Sequence, residues 1–482
     1  MTFRWNPQFS SEWEAPKPPP VWLFLILYLI VEGFALAMVV PDLPRVGPIP
    51  WDRFIHDAVV LPFFGWIGLS CFAWLLGYDL PARHAAAHNI ARWHEITGWQ
   101  RQSRAGVAVL DSVILTPEPD LAERMLKLEG SPPENPGKVM RLDSVDGADS
   151  VSRERAMLEK LLAPLAARLT LAARSDSFDI VIQCERPEST LTVQAAWEQL
   201  HLPRRPRIRA LNNEDEPGFA DAWFEQDRQM HYGAYTGGKM PKFRLVLAWH
   251  LNPTDADTAP ESSEAAVALL LGSSALMQEK PDTKRQAWLL RQISRDADQA
   301  DQLLALLVKA EQVPAATIRH FWHSRLKGLA QHATMGAVKE SDLKVEEHAL
   351  DSAIGPQAPV ARWVLQAMAA KMAQFGQGAQ LIALPHEQRG IALNVVAKEP
   401  ARVAVPWKEE YEYAPIVGPE LGVLASIWMV LMLLLPKGWS TANTVISCVI
   451  AVAIVVLFVL RHVRFVMPTA DAILDFVASW LG

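Results

Sequence analysis

The chain has 482 residues, half of them hydrophobic, and a formal net charge of −7. That length can bury a large core and hold more than one domain, and the acidic balance argues against nucleic acid as a partner. Three cysteines, Cys71, Cys184 and Cys448, show no pairing pattern and no Cys-x-x-Cys spacing, which argues against a disulfide framework or a cysteine zinc site and suits a reducing compartment.

Residues 1–20 form a short arm, rich in proline at 16–20. Residues 21–40 are a nearly unbroken apolar run of membrane-spanning length without a small-residue cleavage site, so they read as an anchor. Glu32 lies inside this run, either as a helix-contact or coupling group or as a neutral carboxyl packed on a neighbouring helix. A loop over 41–57 leads to a second spanning run at 58–77, giving a transmembrane pair over 21–77. Residues 78–103 are a basic juxtamembrane segment. Arg83, Arg92 and Arg101, with Arg104 just beyond, place the membrane exit on the cytoplasmic side. His84 and His88 share a helix face, but no cysteine or acid completes a metal site around them.

The soluble region is expected in two halves, 104–280 and 281–400. Its first half reads strand at 107–115, helix at 120–128, loop at 130–150 and amphipathic helix at 153–173, with Leu158, Leu161, Leu162, Leu165 and Leu169 as its core stripe. Strand 178–184, helix 193–202, strand 208–211, an acidic turn at 212–219, a helix from Ala220, and strands 243–249 and 264–272 follow. In the second half the spacing predicts one long helix or two over 283–312, then a strand ending near His323. A turn at 353–361 precedes a helix through Met372, and a hairpin at 379–384 and 390–397 closes the domain. The strands of each half are expected in a sheet of their own. After a linker at 401–415, residues 416–460 hold a third and a fourth spanning run. Residues 461–482 hold Arg461 and Arg464 and then an amphipathic helix whose acidic face favours docking on protein.

The order of these elements over 104–398 resembles the thiolase-like fold of ketoacyl synthases. The fold class is therefore α/β: a thiolase-like layered αβα soluble domain flanked by two transmembrane helix pairs. In that family a sharp elbow reading roughly Ala-Cys-Ser-Gly-Phe carries the nucleophilic cysteine at a helix N-terminus, which favours the thiolate. Here the elbow reads Asp215-Glu216-Pro217-Gly218-Phe219, and Glu216 stands in the cysteine's place. Ser263-Glu264-Ala265-Ala266 is similar to the family's Gly-Glu-Gly-Ala-Ala strand. His323 matches the place of a catalytic histidine, while Pro356 or Gln357 occupies that of a second histidine or asparagine.

The resemblance thus implies a condensing fold with degenerate positions at Glu216, His323 and Pro356 and no catalytic residue. No cofactor or metal ligand is expected. A carboxylate cannot replace a thiolate as acyl acceptor. The resulting expectation is a catalytically silent scaffold or adaptor, held in a bacterial inner membrane by four helices with its soluble domain and both termini cytoplasmic. It would serve protein partners in an envelope or secretion machine, most specifically effector loading in a type VI-like system; a homodimer is compatible with this. The alternative is an enzyme on acyl thioesters or lipids, with Glu214, Asp215 or Glu216 as base and His323 as its partner.

Overall fold

The computed structural model describes residues 3–44, 48–145, 149–175, 177–184, 189–203, 207–211, 241–253, 259–387, 389–411, 418–434, 441–442, 444–450 and 452. The chain divides into two compact units, 1–8 with 97–404 and 9–96 with 405–482.

Among its described residues the first unit has eleven strands: β1 (Gly106–Leu115), β2 (Phe178–Gln183), β3 (Arg207–Leu211), β4 (Phe243–His250), β5 (Ala265–Gly272), β6 (Ala287–Leu290), β7 (Ile293–Asp296), β8 (Ile318–His323), β9 (Glu346–Ala349), β10 (Ala379–His386) and β11 (Gly390–Ala397). Their order is β3-β2-β4-β5-β1-β6-β11-β10-β8-β9, with β7 beside β11. β3, β2 and β4 run parallel, and β5 is antiparallel to β4 and β1. The far side repeats this scheme: β9, β8 and β10 are parallel, and β11 is antiparallel to β10, β6 and β7. The unit is therefore two halves of like topology.

Strands buried on both faces read as continuous apolar runs, and β5 shows this throughout its length. Ala265, Val267, Leu269 and Leu271 face one core, with Val246 of β4 and the helix Ala361–Gln374. Ala266, Ala268 and Leu270 face a second core, against Leu158, Leu161 and Leu165 of the segment 150–165. In the other half Leu381 and Ala383 of β10 turn to a third core with Leu303, Leu304 and Leu307 of the helix Ala300–Lys309, whereas Ile382 joins the first. The helix Ala361–Gln374 is buried on nearly all sides and covers strands of both halves. Its composition suits that place: seven of its residues are small or flexible, Ala361, Ala367, Ala369, Ala370, Ala373, Met368 and Met372.

Charge fixes the parallel strands at one end. Asp179 on β2 takes a bidentate bond from Arg244 on β4 at 2.7 and 2.9 Å, and another from Arg209 on β3 at 2.7 Å. The helix Ser150–Leu162 starts with a reciprocal cap between Asp149 and Ser152. At Pro164 it tightens into a 3-10 turn before continuing as Ala166–Ala173.

Two expectations are corrected here. The halves do not have separate sheets, because β6 pairs with β1 on one side and β11 on the other and joins them into one. Nor is 283–312 a long helix: it holds β6, β7 and only then the helix Ala300–Lys309. Trp288, Leu289 and Ile293 have spacing that fits a helix, but open hydrogen-bonding edges on β1 and β11 take the backbone instead.

Among the described residues two helices, Val21–Asp42 and Trp51–Ser103, are long and apolar enough to cross a membrane. This corrects the expectation of four spans. The third, Gly418–Leu434, is apolar but shorter, and most of the second half of the fourth, 451–460, lies outside the described residues. Residues 51–57, expected as loop, belong to the long helix. That helix widens into π turns at His56–Val60 and Leu75–Asp79, each just ahead of a proline, Pro62 or Pro81. A proline lacks the N–H that would close the ordinary turn and crowds the carbonyl four residues back, and the wider turn relieves both.

Helices of the second unit approach closely at small residues. Gly68 lies against Ser426, and Gly422 against the Cys71 sulfur. Among the described residues the buried Glu32 Oε2 has no hydrogen-bond partner. The arm is clasped rather than loose: Trp13 stacks on His88 with ring centroids 4.2 Å apart, and Asn89 bonds both the N–H and the carbonyl of Trp13 at 2.9 Å. Glu12 accepts from Lys408 at 2.6 Å and Tyr411 at 2.5 Å, which holds its carboxyl below the usual range. His88 is thus a stacking residue of the arm. Arg45, Lys437 and the segment 461–482, with its expected amphipathic helix, lie outside the described residues.

Candidate functional site

The elbow with Glu214, Asp215 and Glu216 lies within 212–240, outside the described residues. The other positions singled out by the sequence are described, and each is held by the fold.

Glu264 immediately precedes β5 and has no exposed surface. Arg153 meets its carboxylate with two bonds, at 3.2 and 2.9 Å, and the backbone N–H groups of Leu142 and Asn252 donate at 2.8 and 2.9 Å. A carboxylate with four donors is fully satisfied. It fastens β5, the helix Ser150–Leu162, the loop around Leu142 and the end of β4. The neighbouring Ser263 hydroxyl donates to the Ile354 carbonyl and accepts from the Met140 N–H at 3.0 Å.

The turn Gly355-Pro356-Gln357 sits directly beyond. Ser263 N–H donates to the Pro356 carbonyl at 2.8 Å, and Gln357 bonds the carbonyl of Gly355 at 2.8 Å. Gly355 has φ +75, and a Cβ there would lie 2.5 Å from the Lys138 carbonyl oxygen. Only glycine tolerates both the left-handed backbone and that approach. Pro356 offers no N–H, and the side-chain amide of Gln357 is spent on the carbonyls of Gly355 and Ile354.

His323 ends β8 and is buried at 5 % exposure. Its Nε2 lies 3.0 Å from Glu347 on β9, and its ring stacks on Phe321, two residues back on the same face of the strand. A groove of about 810 Å³ runs between the helix Ala300–Lys309 and residues 337–344, and neither His323 nor Pro356 lines it.

The structure also brings together residues that sequence reading passed over. His320 on β8 and His348 on β9 lie on neighbouring parallel strands, with His320 opposite Glu346 and Trp322 opposite His348. The His320 Nδ1 and His348 Nε2 atoms are 3.0 Å apart, and both rings are buried. Glu346 stands exposed beside them, and the three side chains place ligating atoms within 4.8 Å of one another. Burial holds the His348 imidazole down to about 4, with His320 and Lys127 adding to the effect, and burial also lowers His320. Near neutral pH the contact is between two neutral imidazoles, one donating and one accepting. His320 lies 26 and 28 residues from Glu346 and His348, a separation that matches no metal-ligand spacing, so the sequence signals were the Glu346-x-His348 pair and the histidine density around 320–348.

No protein-family model matches the chain, and the comparison with curated proteins found no match. Solved structures similar to it are thiolase-like folds. They include an oxazolomycin ketosynthase domain from Streptomyces albus, at 12 % identity and a TM-score of 0.42, covering 63 % of this chain and 100 % of its own. OleA from Xanthomonas campestris bound to cerulenin has 12 % identity and a TM-score of 0.37, covering 62 % and 99 %. The 3-oxoacyl-[acyl-carrier-protein] synthase III of Aquifex aeolicus has 10 % identity and a TM-score of 0.37, covering 61 % and 100 %.

Proposed function

We propose that this chain is a catalytically silent, membrane-anchored scaffold or adaptor. One observation supports the reading: the described residues of the matching motifs, Glu264, Pro356 and His323, are engaged in contacts within the fold. Glu264 accepts from four donors, the Gly355-Pro356 turn packs on the Lys138 backbone with the Gln357 amide spent inside it, and His323 is tied to Glu347. The elbow residues 212–218 hold no cysteine, serine or threonine to act as acyl acceptor. The exposed apolar helices, such as Leu25, Leu29 and Phe34 on the first, support a membrane anchor, since surface of that kind has an energetic reason to leave water.

In this reading the chain sits in a bacterial inner membrane with its α/β unit on the cytoplasmic side and recruits a protein partner of an envelope or secretion machine. Effector loading in a type VI-like system is its most specific form. A second reading, an enzyme on acyl thioesters, draws on the His323–Glu347 contact, because a carboxylate that orients an imidazole is the arrangement of a general base.

The test is affinity purification of the full chain from membranes of its own host, with quantitative mass spectrometry of what is retained. The scaffold reading predicts one stoichiometric protein partner retained equally by the native chain and by Glu216→Gln. Loss of every partner, or retention of acyl carrier protein alone, would favour the enzyme.

A further inference from the structure

We propose that His320, Glu346 and His348 form a binding site for a transition-metal dication of the zinc class, an assignment independent of the scaffold reading. Side chains two apart on a strand share a face, so His320 and Trp322 on β8 stand on the same face as Glu346 and His348 on β9. Two imidazole nitrogens bound to one zinc ion at ~2.0–2.1 Å in tetrahedral geometry lie about 3.3 Å apart. His320 Nδ1 and His348 Nε2 are already 3.0 Å apart, and an ion takes them both once the donating imidazole carries its proton on its other ring nitrogen and the two rings turn so that their lone pairs converge. The Glu346 carboxylate lies within reach of both.

Two neutral imidazoles and one carboxylate are the donor set that zinc takes when a fourth position is left for water. Magnesium and calcium prefer all-oxygen shells and fit this set poorly. The site is also built to hold its ligands still. Both rings are buried, the Trp322 ring packs on His348 at 4.7 Å between centroids, and Trp322 is itself fixed by a 2.7 Å bond to Gln380. Lys127 and Arg319 add positive charge nearby, so the two imidazoles must supply most of the affinity.

The ion would have a structural effect. β9 is a four-residue edge strand reading Glu-Glu-His-Ala, with little intrinsic preference for a strand. Ligands on β8 and β9 would staple that edge to the sheet, in addition to the backbone ladder.

The competing account of the same geometry is a bare N–H···N bond between the two histidines. The experiment uses the untagged full chain in detergent, stripped with chelator and titrated with Co²⁺ by visible absorption and with Zn²⁺ by calorimetry. About one Co²⁺ per chain should bind with a tetrahedral spectrum, and Zn²⁺ should displace it. His320→Ala and His348→Ala should abolish the spectrum. Glu346→Gln, an exposed change with no folding cost, should weaken binding at least about tenfold. His323→Ala and His88→Ala should bind as the native chain does. Hydrogen exchange of the peptide over 344–350 should slow when Zn²⁺ is added. The proposal is overturned if the native chain takes up no Co²⁺, or if Glu346→Gln binds as tightly as the native chain. It is equally overturned if the spectrum survives in a folded His348→Gln variant.

Discussion

Replacing Arg153 with alanine should destabilise the α/β unit by about 3–5 kcal/mol, because removal of one partner leaves an uncompensated charge in a buried site. Glu264 has no exposed surface and receives two bonds from Arg153, so its carboxylate would be left with only the N–H groups of Leu142 and Asn252. A domain has only about 5–15 kcal/mol in all. Replacing both residues with apolar ones of similar volume should recover only part of the loss, since those two N–H groups would then be buried without an acceptor. The measurement is native-state hydrogen exchange of peptides from β4 and β5, which should open together in Arg153→Ala. Protection unchanged from the native chain would show that the pair is not a hub of the fold.

Trp363→Ala should cost a comparable amount, about 3–5 kcal/mol. The side chain lies in the core shared by both halves, and its Nε1 donates to Gln183 Oε1 at 2.6 Å. Volume and hydrogen bond can be separated. Trp363→Phe keeps most of the apolar contact and loses the donor, so it should cost less, about 1–3 kcal/mol. Denaturant unfolding followed by far-ultraviolet circular dichroism of both variants should rank alanine well above phenylalanine. Equal losses would place the hydrogen bond, not the packing, in control.

Much of this architecture was legible in the chain because burial on both faces leaves a plain mark. β2, β4 and β5 are short apolar runs with turn residues around them, and the hairpin β10–β11 follows the same rule. What was hidden depended on partners far away in sequence. β6 and β7 have four residues each and take their form from the edges of β1 and β11. β9 has no apolar pattern at all and exists as a strand because β8 offers an edge. The roles of the site residues were hidden for the same reason. Glu264 was visible as part of a motif, but the four donors that make it structural come from 142, 153 and 252. The histidine pair needed the β8–β9 register to meet. The prolines in the long helix, Pro62 and Pro81, gave no warning that a π turn would carry the helix through each of them.

A silent scaffold, as proposed above, offers thioesters no acyl acceptor in its α/β unit. The most direct test is intact-protein mass spectrometry after incubation with malonyl and long-chain acyl thioesters, with released thiol assayed in parallel. The native chain, Glu216→Gln and His323→Ala should all keep their unmodified mass and release thiol no faster than the thioester alone does in buffer. Thioester turnover by the native chain that vanishes in Glu216→Gln or His323→Ala would make this unit an enzyme and not a silent scaffold.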